Sequence, residues 1–146
     1  MGQQGKHLNS IKVSHEKHTA GCATEIMAIP ETVCISMSQH IGAPCKPLVK
    51  KGDQVKVGQL IGDTDAFVSA PIHSSVSGTV KEISTIRSVT GGDDQVVIIE
   101  TDGNQDVYEE IKPPVINDMK DFIAAVRASG LVGLGGASFP THIKLN

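Results

Sequence analysis

Glycine and proline punctuation limits this chain more than any other feature: 15 Gly and 7 Pro are spread through 146 residues. Glycine interrupts a helix through backbone entropy, and proline through its missing N–H and its ring clash. The runs left between them suit short strands joined by tight turns. Val33, Ile35 and Met37 alternate with Thr32, Cys34 and Ser36, which predicts a half-buried strand beginning near Glu31. Residues 38–44 are a Gly/Pro loop, and Leu48-Val49 predicts a short strand leading to a turn at Lys51-Gly52-Asp53. Val55, Val57 and Leu60-Ile61 follow, broken by Gly58 and Gly62, and Phe67-Val68, Val76, Val80, Ile83 and Ile86 continue the short-strand rhythm. Gly91-Gly92-Asp93-Asp94 is a turn, and residues 95–101 (Gln-Val-Val-Ile-Ile-Glu-Thr) form the clearest strand because they are rich in β-branched side chains. A weak repeat overlies this pattern: Ala43-Pro44 precedes Val49 as Ala70-Pro71 precedes Val76, which suggests a sandwich or flattened barrel of two similar halves. No continuous helix is expected between Val33 and Ile99.

Composition removes several classes of function. Hydrophobic residues make up 39% and charged residues 20%, enough apolar material for a core. Lys and Arg number 13 against 16 Asp and Glu, a balance that argues against nucleic-acid or polyanion binding. The aromatics are Phe67, Tyr108, Phe122 and Phe139, too few for a base-stacking platform. No run reaches the roughly 18–20 apolar residues of a membrane span, and the first twenty residues hold no apolar block of the kind a signal peptide requires.

Cys22, Cys34 and Cys45 form no C-x-x-C, so neither a zinc ribbon nor clustered iron–sulfur ligation is expected here. Each cysteine reads as a small buried apolar residue in a reducing compartment. The polar arm 1–30 carries His15-Glu16-Lys17-His18; two His three apart could share a metal on a helix face, but no further ligand completes the set, and a solvated arm is the simpler reading. His40 and His73 border Gly/Pro loops, where hydrogen bonds that fix the turns are expected rather than metal ligation. No nucleophile elbow accompanies a Ser-His-Asp order, so hydrolase chemistry has no support.

Lys112-Pro113-Pro114 reads as a linker, which places a domain boundary near Glu110. A helix over 118–129 follows, with Asn117 as N-cap and Asp118 in the first turn. Met119, Phe122, Ile123 and Val126 make one apolar stripe, Arg127 sits in the last turn, and Gly130 is a left-handed stop. Then comes Gly-Leu-Gly-Gly-Ala-Ser-Phe-Pro-Thr-His-Ile-Lys, residues 133–144. A glycine-rich turn exposes backbone N–H groups to a phosphate or flavin, and Lys144 could add a cation; a flexible turn is the alternative.

Two strings give the chain a family resemblance. Gly52-Asp53-Gln54-Val55-Lys56-Val57-Gly58-Gln59 with Ala70-Pro71 and Ser77-Gly78-Thr79-Val80 resembles the barrel-sandwich hybrid of biotinyl and lipoyl carriers. Carriers need an acceptor Lys at the hairpin tip, and residues 63–69 contain none, so no covalent biotin or lipoate is expected. The 133–144 string resembles the loop that lies against FMN in the NADH-binding flavoprotein subunit of complex I, with Ser138 where that loop has Gly.

Together with Ser38-Gln39-His40-Ile41-Gly42-Ala43-Pro44 and residues 65–78, these strings look like the RnfC component of the Rnf electron transport complex, over about 29–145. Ile11-Lys12-Val13-Ser14 departs from the Gly-Ile-His-Pro-like string usual there. The resemblance implies a mainly β chain: an arm (1–30), a barrel-sandwich hybrid domain (31–110), and a linker, first helix and Gly-rich loop (111–146) opening a truncated α/β flavin domain. It implies a complete protein with FMN and two 4Fe-4S clusters that couples NAD(H) oxidoreduction to ferredoxin and ion transport. Such a protein lies on the cytoplasmic face of the membrane, held by other subunits and linked only indirectly to ferredoxin. By resemblance the FMN/NADH loop residues are Gly133, Gly135, Gly136, Ala137, Phe139, Thr141 and Lys144. No catalytic residue and no metal ligand is assigned, and the sequence is expected to be an N-terminal fragment that holds no cofactor by itself. Ordering a dozen loop residues costs about 1–2 kcal/mol each, so a frayed tail with weak or no FMN affinity is expected, its Leu131, Phe139 and Ile143 free to lie on a neighbouring surface. A stand-alone interaction module without cofactor is the other reading.

Overall fold

The computed structural model describes residues 14–88 and 91–146; the Ile11-Lys12-Val13 part of the arm motif lies outside them. Among the described residues, seven strands form two antiparallel sheets: β1 (Thr32–Ser36), β2 (Lys46–Pro47), β3 (Gln54–Val55), β4 (Leu60–Asp63), β5 (Ile72–His73), β6 (Gly78–Arg87) and β7 (Asp93–Thr101). One sheet has the order β1-β7-β6-β3 and the other β2-β4-β5. The mainly β architecture matches the sequence expectation, and no described residue between Val33 and Ile99 is helical.

Period-two patterning places the core between the sheets. Ile35, Val55, Val80, Val97 and Ile99 from the larger sheet meet Ile61 and Ile72 from the smaller one, with Met37, Cys45 and Val76 filling from the connections. Each such side chain contributes about 1.5–3 kcal/mol on burial. The repeat takes a different form from two sequential halves, because strands from both parts of the chain interleave in each sheet. What the Ala-Pro pairs share is that each leads into an edge strand of the small sheet, β2 or β5.

Several local expectations are corrected. The strand near residue 48 is Lys46–Pro47, not Leu48-Val49; Pro47 lacks an N–H and is tolerated because β2 is an edge. Leu48 is exposed, although its amide still reaches the Ile61 carbonyl at 2.9 Å. Gly62 lies inside β4 rather than breaking it. Phe67-Val68 and Val76 sit in loops, while Val80, Ile83 and Ile86 share one ten-residue strand, bulged between Val80 and Glu82. β7 begins at Asp93, so Asp93 and Asp94 of the four-residue turn signal belong to the strand and only Gly91-Gly92 precede it. Cys45 is buried, but Cys22 and Cys34 are exposed, because Cys34 faces outward between the inward Val33 and Ile35.

The C-terminal segment holds α1 (Met119–Ala128) and α2 (Thr141–Lys144). The N-cap of α1 is Asp118, which accepts from the Asp121 amide at 2.8 Å. Asn117 lies just outside and donates to Asp121 through both its amide and its side chain, each at 3.0 Å. Gly130 terminates the helix at φ 71°, as its left-handed preference predicts. The apolar stripe is not a core contact: α1 buries none of its residues, and Met119 and Phe122 are exposed. Arm residues 14–30 are exposed throughout, tied down where the Thr101 hydroxyl donates to the Pro30 carbonyl at 2.6 Å.

Candidate functional site

The glycine-rich stretch folds as a closed loop rather than a frayed tail. Val132 and Pro140 pair in an isolated antiparallel bridge. The Gly133 amide donates to Phe139 at 3.0 Å, and the Thr141 amide donates to Leu131 at 2.9 Å. Pro140 is fully buried at the base, and α2, which the sequence did not signal, starts immediately after it. These cross-links remove much of the backbone freedom that would otherwise have to be lost on binding a ligand.

The loop divides the expected site residues into two groups. Gly133, Phe139 and Lys144 come together: a Cβ on Gly133 would lie 3.5 Å from the Lys144 Nζ, and that ammonium stands 5.7 Å from the centroid of the Phe139 ring. Thr141 lies at the base. Gly135, Gly136 and Ala137 form the exposed apex. A Cβ on Gly135 or Gly136 would meet nothing within 4 Å, and no described residue accepts from their amides. Two free N–H groups at an open apex suit an anionic or hydrogen-bond-accepting ligand, and the Lys144 ammonium adds positive charge beside Gly133. Ser138 adopts φ 51°, a left-handed conformation that glycine takes without the Cβ penalty.

Two further loops approach this one. The Ile41 amide donates to the Ala137 carbonyl at 3.2 Å, and the Ala43 amide donates to Val68 at 3.2 Å. The loops 38–44, 63–71 and 131–140 therefore meet at one end of the sandwich. The carrier-like hairpin 63–71 has Phe67 near its apex, 73% exposed, and is pinned by the Ser69 hydroxyl, which donates to Ala66 at 2.8 Å and Thr64 at 3.2 Å.

His40 fixes this junction as expected. Ala70 N–H donates to its Nε2 at 3.1 Å, which assigns the neutral ring with the proton on Nδ1, facing the Ile41 carbonyl at 3.1 Å. The neighbouring Cys45 thiol donates to the Ala70 carbonyl at 3.2 Å, and burial pushes its pKa up, so it is an unreactive core group. His73 departs from the expectation: its ring has no hydrogen-bond partner among the described residues, and burial lowers its pKa. His142 also has a lowered pKa, from burial and then from the nearby Arg127 charge, and its Nδ1 is buried without a partner. Among the described residues no cluster of three or more His, Cys, Asp or Glu could hold a metal ion, so the residues present do not fit an iron–sulfur cluster.

Sequence reasoning misses the strongest polar link in the region. In the sequence Arg127 reads as a helix-end charge. In the structure its guanidinium forks onto Asp63, with Nη1 to Oδ2 at 3.2 Å and Nη2 to Oδ1 at 2.9 Å, and Nη2 also donates to the Thr64 carbonyl at 3.1 Å. The partners are 64 residues apart, and no periodicity signals such a pair.

Comparison with known proteins supports the sequence resemblance: residues 6–104 match the RnfC barrel sandwich hybrid domain. The chain belongs to this RnfC family. It is 46% identical over 134 residues to the C subunit of the proton-translocating ferredoxin:NAD(+) oxidoreductase complex of Clostridium ljungdahlii, covering 89% of this chain and 29% of that protein. It is 50% identical over 119 residues to the C subunit of the Na(+)-translocating ferredoxin:NAD(+) oxidoreductase complex of Acetobacterium woodii, covering 80% and 27%. The C subunit of the ion-translocating oxidoreductase complex of Rhodobacter capsulatus is 35% identical over 138 residues, covering 91% and 26%. The matched stretch thus spans less than a third of each of these curated relatives. No helix among the described residues is long and apolar enough to cross a membrane.

Proposed function

We propose that this RnfC-family chain forms the N-terminal part of an electron-transfer subunit, and that its glycine loop is one wall of a flavin and NAD(H) site. The free amides of Gly135 and Gly136 at the open apex, with the Lys144 ammonium near Gly133, carry this reading. Gly133, Gly135, Gly136, Ala137, Phe139, Thr141 and Lys144 are the residues assigned to it. FMN, when bound, supplies hydride acceptance and one-electron release. This chain's residues bind and orient: the glycines leave their amides uncrowded, and Lys144 offers positive charge. Under the same proposal the arm (1–30) and barrel (31–110) dock other subunits of a membrane complex, with 111–146 opening the flavin-binding part. The complete assembly would carry two 4Fe-4S clusters outside these residues, exchange electrons with ferredoxin through partners, and sit on the inner face of the membrane. A cofactor-free docking module is the second reading, favoured by the exposure of Phe67 and Leu134 where the loops meet.

The loop provides only one wall, whereas ligand sites bury most of the ligand surface. FMN titration followed by flavin fluorescence should therefore show binding weaker than micromolar for the 146-residue chain and tight binding for a chain of the relatives' length. In the longer chain Lys144→Ala should weaken FMN about tenfold, a loss of about 1.4 kcal/mol. Unchanged affinity in that variant refutes the loop assignment, and micromolar binding by the short chain refutes the one-wall account.

A further inference from the structure

α1 has no fully buried residue, although Ile123, Ala125 and Val126 are half-buried. The Arg127 fork adds a directional tie where its C-terminal end meets the barrel. Asp63 is the last residue of β4 and pairs with Lys46 of β2 in the ladder, so its carboxylate is presented from a hydrogen-bonded strand end. Arg127 meets it from the last turn of α1, with both side chains about two-thirds or more withdrawn from solvent (34% and 26% exposed). Three residues later Gly130 lies so close to β5 that a Cβ there would stand 2.5 Å from the Pro71 carbonyl oxygen. The chain then enters the glycine loop. On the opposite side the loop has the Ile41–Ala137 hydrogen bond. Between these attachments lies a cavity of about 120 Å³ bordered by His40, Pro71, His73, Gly130 and Val132, so packing under this side of the loop is incomplete.

We propose that Asp63 and Arg127 are positioning residues: their pair holds the base of the glycine loop at a fixed place on the barrel and so presents the loop amides to the ligand. This rests on the reading of the loop as a ligand wall. A guanidinium suits the task because its planar fork engages both carboxylate oxygens and still reaches the Thr64 carbonyl; an ammonium is a point charge that cannot hold that geometry.

The test uses the 146-residue chain and amide hydrogen exchange, which needs no ligand. Arg127→Lys and Asp63→Asn should each speed exchange at Gly133, Thr141 and Ile41 about tenfold, equivalent to about 1.4 kcal/mol. Amides of β6 and β7, such as Val80, Val97 and Ile99, should keep their wild-type rates. The charge-swapped pair Asp63→Arg with Arg127→Asp should recover part of the loop protection. Wild-type exchange in both single variants overturns the proposal. So does equal acceleration in β6 and β7, which would make the pair a general stabiliser. The flavin titration of the longer chain addresses the ligand reading separately, so either can fail while the other stands.

Discussion

Two glycines with positive φ let the cost of a side chain be separated from the cost of a backbone conformation. Gly52 turns the chain at φ 91°, and a Cβ there would meet nothing within 4 Å. Gly78 opens β6 at φ 155°, paired with Val55 on one side and Thr101 on the other. A Cβ there would overlap the Glu100 carbonyl oxygen and lie 2.9 Å from both the Glu100 carbonyl carbon and the Thr101 Cα. These are backbone atoms of β7, an inner strand of its sheet, so no rotamer change relieves the overlap. Gly52→Ala should cost only the left-handed penalty of about 1–2 kcal/mol. Gly78→Ala carries a similar conformational cost plus about 1–3 kcal/mol of overpacking, for a total of about 2–5 kcal/mol. In urea, with a slope of about 1–3 kcal/mol per molar, the Gly78→Ala midpoint should fall about 1 M below that of Gly52→Ala. Coincident midpoints would refute the claim that β7 backbone packing, rather than φ alone, requires glycine at 78.

Ser138→Gly should raise stability by about 1 kcal/mol by relieving the left-handed serine, seen as a higher melting temperature, whereas Ser138→Ala should give no gain. Burial lowers the pKa of His73 and His142 from 6.5, so the unfolded chain takes up more protons as pH falls below about that value. Stability should therefore decline with falling pH below 6.5, and His73→Gln should flatten the slope in urea titrations at stepped pH. Intact mass of the chain purified from cells rich in biotin and lipoate ligases should show no acyl adduct; an adduct on any Lys would overturn the reading of residues 63–69.

The strands with strict alternation were legible because burial on one face imposes a period of two, as Val33, Ile35 and Met37 show. Lys46–Pro47 was not, because two residues carry no period and proline argues against a strand until its edge position is known. The end of α1 was visible in Gly130, where one residue type serves the left-handed conformation best. Its N-cap was displaced by one residue because Asn117 and Asp118 are both capable caps, and only the Asp121 hydrogen bonds decide between them. At the candidate site the glycine loop was visible as a string, but its closure was not. Closure depends on the Val132–Pro140 bridge and on Ile41, contacts set by the tertiary fold. The same holds for Asp63 and Arg127, each unremarkable in its own segment.

The carrier-like hairpin shows how one barrel can serve a different purpose. A carrier displays its acceptor Lys on a tip that must enter other active sites, so the tip has to stay clear of its own domain. Here the corresponding hairpin lacks the Lys and is held from several directions. Ser69 ties it internally, Ala43 bonds to Val68, and Arg127 reaches both Asp63 and Thr64. Each attachment restricts the motion that delivery of a tethered group would need, and the last one joins the hairpin to the helix that leads into the glycine loop. In the positioning proposed above, this hairpin is the part of the barrel on which the C-terminal segment bears. A Lys introduced at Phe67, an exposed position of the hairpin, would restore the missing amine while these attachments stay in place.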